Sequence, residues 1–277
     1  MGNLLVPSAY PIDIVYQESN KELEIKNHFH NSYEIIYVLE GKTRYHINDK
    51  EYFVDKNSLV FINNMETHHV KVLEYPYKRY FILIKPDYFR SVIDEPILSS
   101  IFRNRSDSFR HVIELGSEGL REINDIIENL YYELNKKEAF WEAAVKSDLY
   151  RLFIILYRNY QAYFPLRSLN SSMQTITEIQ KYIEEHYLEQ ISLEDISKLF
   201  FMDKYYLSHL FKKVTGFTFK EYIILQRISK AKDLLFHTND DIIRVCMNSG
   251  FNNVNHFIRI FKKYEGTTPY QYRKRYR

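Results

Sequence analysis

The 277-residue chain carries one cysteine, Cys246, so it cannot close an internal disulfide. No run of about 18 or more uncharged apolar residues occurs, which excludes a membrane-spanning helix and makes a membrane partner unexpected. The opening MGNLLVPSAYPIDIVYQ lacks the basic start and apolar run of a secretory signal. Also missing are a nucleophile elbow, a Gly-rich phosphate loop and a Walker motif, so the common hydrolase and nucleotide-binding signatures are absent. Charge of one sign is scarce too: the net charge is only +2, and taken alone it does not point to nucleic acid. These absences fit a cytoplasmic protein.

What is present is material for a core. Hydrophobic residues make up 45% of the chain and aromatics 16%, with 25 Tyr and 19 Phe. The length suits one large or two ordinary domains. The small net charge also hides an asymmetry. Residues 174–277 hold 17 Lys and Arg against 12 Asp and Glu, whereas residues 1–173 are net acidic. The densest basic stretch is the tail YRKRYR (272–277). Such a balance permits phosphate contact without proving it.

The chain divides by period. Residues 1–115 contain short alternating segments, YEIIYVLEG (33–41), TRYHIND (43–49), KEYFVDKNSLVFINN (50–64) and YKRYFILIKP (77–86), which predict strands of a sandwich or small barrel. Asn48-Asp49 and Asp55-Lys56-Asn57 supply turns. Over 116–160 the period becomes helical. Leu120, Ile123, Ile126, Ile127, Leu130 and Leu134 form one stripe, and FWEAAVKSDLYRLFIILYRNY (140–160) predicts a second helix. This helical segment serves either the intrachain core or a dimer seam. Residues 161–173, with Pro165 and a Ser/Asn cluster, read as a linker, and 174–277 as an all-helical domain. The expected class is α+β multidomain.

The last hundred residues repeat themselves. In LEDISKLFFMDKYYLSHLFKKVTG (193–216), Leu193, Ile196 and Leu199 mark one face of a first helix. Asp203 caps a second, whose Leu207, Leu210 and Phe211 face inward, and Gly216 ends it. In DIIRVCMNSGFNNVNHFIRIFKKYEG (241–266) the pattern returns at an offset of 49 residues before the turn and 50 after it, with Phe257, Ile260 and Phe261 facing inward. The second turn thus has one more residue, and Gly250 falls in it. EYIILQRISKAKDLLFH (221–237) is the helix between, with the small Ala231 open to close packing. Two short helices joined by a tight turn hold the second proud of the surface, where it fits the major groove. Two such helices reading one face of double-stranded DNA must sit roughly 34 Å apart.

Residues 191–275 resemble the DNA-binding domain of AraC-type (AraC/XylS family) transcription regulators. The resemblance rests on Gly250-Phe251, Phe257, Phe261-Lys262-Lys263, Gly266, Thr268-Pro269 and Tyr272-Arg273, and in the first unit on Leu193, Ile196, Leu207, Phe211-Lys212-Lys213, Gly216, Tyr222, Arg227 and Ala231. Ser197, Cys246 and Ser249 depart from the family's usual residues. The resemblance places base contacts on Tyr205, Ser208 and His209 of the first recognition helix, and on Val254, Asn255, His256 and Arg259 of the second. Arg259 suits a guanine edge and Asn255 an adenine. Lys204, Lys212, Lys213, Lys262 and Lys263 would meet phosphates or stay solvated.

The segment HFHNSYEIIYVLEG (28–41) places His28 and His30 two apart, hence on one strand face, with Glu34 close behind. His68 follows a strand later. Two His, a carboxylate and a third His form a set that suits zinc, iron or manganese. His28, His30, Glu34, Gly41 and His68 resemble the cupin motifs, although Asn63-Asn64-Met65 replaces the usual Pro and Gly turn of the second. The resemblance implies a cupin-like double-stranded β-barrel. Sensor domains of AraC-type regulators look like this and commonly hold a small effector, often a sugar; a metal is not the rule there, and no cofactor is called for. Three roles remain open for the set: hydrogen-bonded parts of the barrel mouth, a metal-free effector pocket, or a metal site.

The leading expectation is an effector-responsive, sequence-specific DNA-binding regulator of carbohydrate or other small-molecule utilisation genes. It would be a homodimer, and an activator that meets RNA polymerase. The rivals are a metal-dependent cupin enzyme with a helical appendage and a helical module that binds only protein partners.

Overall fold

The computed structural model describes residues 10–103, 109–164 and 171–276, which fall into two compact units, 10–164 and 171–276. The expected linker 161–173 begins with a single 3-10 turn at Gln161–Tyr163. Residues 165–170, including Pro165, lie outside the described residues.

In the first unit, strands β1 (Ile12–Ser19), β2 (Glu24–His28), β3 (Tyr33–Ile47), β4 (Lys50–Val54), β5 (Ser58–Ile62) and β6 (His68–Ile84) are followed by helices α1 (Pro86–Val92) and α2 (Pro96–Arg103), strand β7 (Val112–Glu114) and helices α3 (Ser117–Lys136) and α4 (Trp141–Asn159). All strand pairs are antiparallel, in the order β1-β6-β3-β5-β7, with β2 added on β6 and β4 on β3. β3 and β6 are long because each serves two half-sheets. Residues 33–38 of β3 and 77–84 of β6 lie with β5 and β1, and residues 43–47 and 68–71 lie with β4 and β2. β3 turns the corner at Gly41, whose φ is 87°. A Cβ there would stand 2.7 Å from the carbonyl oxygens of Glu74 and Pro76, so the crossing of the two strands requires glycine. The two expected turns are present, with Asn48 at φ 51° and Asn57 at φ 60°.

Alternation then assigns the faces. Tyr33, Ile35, Tyr37, Leu59, Phe61, Ile82 and Ile84 join the core formed with α1 to α4, while Glu34, Ile36, Val38, Arg79 and Phe81 point the other way, into the barrel. The apolar stripe of α3 (Ile123, Ile126, Ile127, Leu130 and Leu134) is buried in that same core with Leu149, Leu152, Phe153 and Leu156 of α4. Of the two roles open to this stripe, it fills the intrachain one. Helices α1 and α2 were not legible as such, because the alternating text before them ran straight into Pro86. The local signal for α1 is proline at a first helical position.

The second unit is helical: α5 (Ser171–His186), α6 (Leu193–Leu199), α7 (Lys204–Thr215), α8 (Phe219–His237), α9 (Ile242–Asn248), α10 (Val254–Glu265) and α11 (Pro269–Tyr276). α6–α7 and α9–α10 are the two repeated pairs. Ala231 is fully buried in α8, consistent with close packing there.

A candidate DNA-reading surface and a histidine-lined barrel

Each recognition helix is built the same way. Asp203 accepts from the backbone N–H groups of Tyr205 and Tyr206, both at 2.9 Å, and so caps α7. Asn253 accepts from the N–H of His256 at 2.8 Å and caps α10. Both helices end on a left-handed glycine, Gly216 and Gly266. Inside, Leu207, Leu210 and Phe211 of α7 and Phe257 and Phe261 of α10 are buried, while Ile260 is only half-buried.

Outside, Tyr205, Ser208 and His209 stand exposed on α7, as do Asn255 and Arg259 on α10; Val254 and His256 are half-buried. Ser208, Asn253 and His256 share the wall of one cavity of about 600 Å³ with Thr218 and Lys220 at the start of α8, so both recognition helices border one concavity. Lys212, Lys213, Lys262 and Lys263 are exposed at the helix ends. Lys204 is drawn into an ion pair with Glu194 at 3.4 Å, which also holds Lys198 at 3.1 Å.

The repeat runs further than the helix pairs. Thr218 and Glu221 form a capping box at α8, and Thr268 and Gln271, fifty residues on, make the corresponding bonds at α11. Phe211 meets Tyr222 edge-on at 5.6 Å, and Phe261 meets Tyr272 at 5.4 Å. The signal for both caps was present in the texts TFKE and TPYQ. Arg227 clamps α8 to the chain after α5, donating to the carbonyls of Tyr187 and Glu189 at 2.7 Å each. The departures from family pattern are accommodated. The buried Ser249 hydroxyl donates back to the carbonyls of Val245 and Cys246 at 2.6 and 3.0 Å, and Ser197 donates to Glu194 at 2.9 Å.

In the barrel the four expected residues do come together. Glu34 is buried on β3 and faces His68 across from β6. Its Oε2 lies 3.1 Å from His30 Nε2 and 3.2 Å from His68 Nε2. The rings of His28 and His68 are 4.0 Å apart, and those of His30 and His68 5.1 Å. The loop 63–66 pins them. Met65, at φ 66°, donates its N–H to the His30 carbonyl at 2.9 Å, and Asn63 N–H donates to Glu66 at 2.7 Å. Those residues replace the Pro and Gly turn of the cupin motif. Burial pushes the Glu34 carboxyl upward, but His30 and His68 outweigh it and hold it well below the usual carboxylate range. Burial, followed by the neighbouring His68 and His30, pushes His28 well below the ordinary imidazole value.

A second polar group in the barrel had no sequence signal. Arg79 is buried and held by Gln17 Oε1 at 2.8 Å and the Tyr45 hydroxyl at 3.3 Å, and Tyr45 in turn meets the Tyr77 hydroxyl at 3.3 Å. Burial disfavours its charge, yet Tyr77, Tyr45 and Glu34 overcome this and raise the guanidinium pKa. In YKRYFILIKP it read as one polar residue of an alternating strand, and which face would be interior was not fixed by that text.

Comparison with known proteins agrees with both halves. The model of an AraC-like ligand binding domain matches residues 11–153, and that of a helix-turn-helix domain matches residues 196–275. An HTH-type transcriptional regulator of Bacillus subtilis, YbfI, is 29% identical over 233 residues, covering 83% of this chain and 80% of its own length. The HTH-type transcriptional activator RhaS of an Enterobacter species is 20% identical over 248 residues, covering 89% and 87%. Among solved structures, ToxT of Vibrio cholerae superposes with a TM-score of 0.64 over 97% of this chain and 98% of its own, at 15% identity, which speaks for a shared fold. YbfI and RhaS are both named as transcription regulators, against the reading of a metal-dependent enzyme with an appended helical tail, and the two matched models cover both halves: the chain belongs to the AraC family of helix-turn-helix transcription regulators, with an AraC-like ligand-binding domain preceding its DNA-binding domain.

Proposed function

We propose that the chain is an effector-responsive, sequence-specific activator, in which α7 and α10 read bases and the barrel holds a small effector. The observation that carries this is the pair of helices with matching caps, buried aromatic faces, exposed polar faces and lysine pairs at their ends. Tyr205, Ser208 and His209 would read one major-groove segment, and Val254, Asn255, His256 and Arg259 the next. Lys212, Lys213, Lys262 and Lys263 would neutralise phosphates, and Lys204 would leave Glu194 to do the same.

His28, His30, Glu34 and His68 belong to the effector site in this reading. Effector binding changes operator occupancy only through different affinity for two arrangements of the molecule. Carbohydrate or other small-molecule utilisation genes, a cytoplasmic site of action and contact with RNA polymerase complete the proposal; the naming of RhaS as an activator supports the sign of regulation. Homodimerisation is assigned to the outward sides of α3 and α4, where Tyr132 and Phe140 are exposed, since the inward stripe is already covered.

The test is a pair of substitutions at neighbouring positions. Arg259→Ala should weaken binding to the cognate site by about 1–3 kcal/mol and relax specificity at one base. Lys262→Ala should weaken all DNA alike and lower the salt slope by about one unit. Unchanged operator affinity of the Arg259 variant would remove that residue from base reading.

A further inference from the structure

Two neighbouring cations of β6 are partnered in opposite ways. Lys78, partly exposed, pairs with the Glu40 carboxylate at 2.8 Å. Arg79 is only 4% exposed, yet among the described residues no carboxylate pairs with it. The buried Glu34 is held instead by His30 and His68. An exposed ion pair is worth little, whereas a buried charge without a counter-ion is strongly destabilising. The carboxylate therefore stands where it matters less.

The groups around Arg79 are neutral, and one of them sits as an anion would. Gln17 lies directly across from Arg79 on β1. Its Oε1 accepts from Arg79 Nε at 3.2 Å and from Nη2 at 2.8 Å. One amide oxygen thus spans the guanidinium edge that a carboxylate takes with two. The Tyr45 hydroxyl accepts from Nη1 at 3.3 Å and meets the Tyr77 hydroxyl at 3.3 Å. The rings of Tyr77 and Phe81 lie 5.6 and 5.1 Å from the guanidinium carbon and add attraction but no counter-charge. Thr43 shares the inward face of β3 with Tyr45, two residues on, and its fully buried hydroxyl has no hydrogen-bond partner. This part of the interior collects a permanent positive charge and hydroxyl groups, with a neutral amide as the main acceptor.

We propose that the barrel takes a small organic carboxylate, bound side-on by Arg79 in place of the Gln17 amide, with the Tyr45, Tyr77 and Thr43 hydroxyls as further donors. The acid supplies the charge that the buried guanidinium lacks. A neutral sugar or amide of the same shape supplies no charge and gains nothing over Gln17 at this point. The proposal rests on the reading of the barrel as the effector site, and it narrows the effector to an acid.

The test uses the full chain in thermal melts and calorimetric titrations with benzoate, succinate, gluconate and pyruvate. Benzamide, succinamide and glucose serve as neutral counterparts. At least one of the acids should bind saturably and raise the melting temperature, and its neutral counterpart should not. Arg79→Met should weaken that binding by roughly 30-fold or more, as removal of one partner of a buried charge pair does. Gln17→Ala removes the competing amide and should tighten it, a gain that a merely structural Gln17 would not give. If Arg79→Met does not fold, Arg79→Lys keeps the charge, loses the two-point edge and should still weaken binding.

Failure of all four acids to bind overturns the proposal, and so does equal binding of an acid and its neutral counterpart. Acid binding that the Arg79 variant retains in full overturns it too, because it places the ligand elsewhere. Occupancy of a selected DNA site is measured on the same samples. If glucose alters it independently of Arg79, this inference fails and the effector reading stands. If an acid binds through Arg79 without altering it, this inference stands and the effector reading fails.

Discussion

At the scale of single residues, the two turns of the reader solve one problem in two ways. The residue before the second recognition helix's turn closes is Gly250, at φ 87°; at the matching place in the first unit stands Phe201, at φ 51° and 97% exposed. A left-handed conformation costs an ordinary residue roughly 1–2 kcal/mol, against the roughly 0.5–1 kcal/mol of chain entropy that glycine loses on folding. Phe201→Gly is therefore expected to leave stability unchanged or raise it by up to about 1 kcal/mol. Gly250→Ala should do the opposite and by more. Its new methyl would meet Arg227 Nε at 3.0 Å and the backbone of Leu188 at 3.1 Å, pressing on the Arg227 clamp. A loss of about 2 kcal/mol or more is expected. Denaturant melts of the two variants check both signs, and a Gly250→Ala chain as stable as wild type would show that the clamp gives way freely.

At the scale of elements, the caps make a pH-dependent contribution. The backbone and side-chain bonds from Thr218 hold the Glu221 carboxyl below its ordinary value, and the bonds from Ser192 do the same for Asp195. A carboxyl depressed in the folded state stabilises it at neutral pH, and that stability is lost as pH falls through the carboxylate range. Thr218→Ala should cost about 1 kcal/mol at neutral pH and less in acid, where the wild-type box is itself weakened. Equal losses at both pH values would contradict a charged box.

Elements also show what could be read in advance. The reader was legible because its signals are local and doubled: Asp203 and Gly216 bracket one helix, and Phe257, Lys262 and Gly266 recur at fixed offset. The barrel was legible only in part. Alternation revealed the strands around Tyr33–Gly41 and Lys50–Asn64, but alternation is symmetric, and it took the pairing of β3 with β6 to show that Arg79 faces inward while Tyr80 faces the helices. His28, His30, Glu34 and His68 were found by chemistry and spacing. The carbonyls of Lys26, Ser32 and Glu66, which lie 2.9, 3.1 and 2.9 Å from Nδ1 of His28, His30 and His68, were not, because nothing in a residue's name reveals where its carbonyl points.

At the scale of the whole molecule, two units divide the work. The acidic excess lies in the barrel and its helices, and the basic excess in the reader, so the small net charge of the chain says little about what it binds. The helices α3 and α4 are structural partners of the barrel through their apolar stripe, and only their outer faces are open to the dimer proposed above. The reader is proposed to specify one DNA site through two helices, α7 and α10. Selection of bound DNA from a random pool by the full chain tests it most directly. The expected result is an enriched site with two short boxes spaced about one helical turn, roughly 10–10.5 base pairs, apart, with one box relaxed by Arg259→Ala. A pool that shows no enriched sequence, or a single box indifferent to α10, would contradict it.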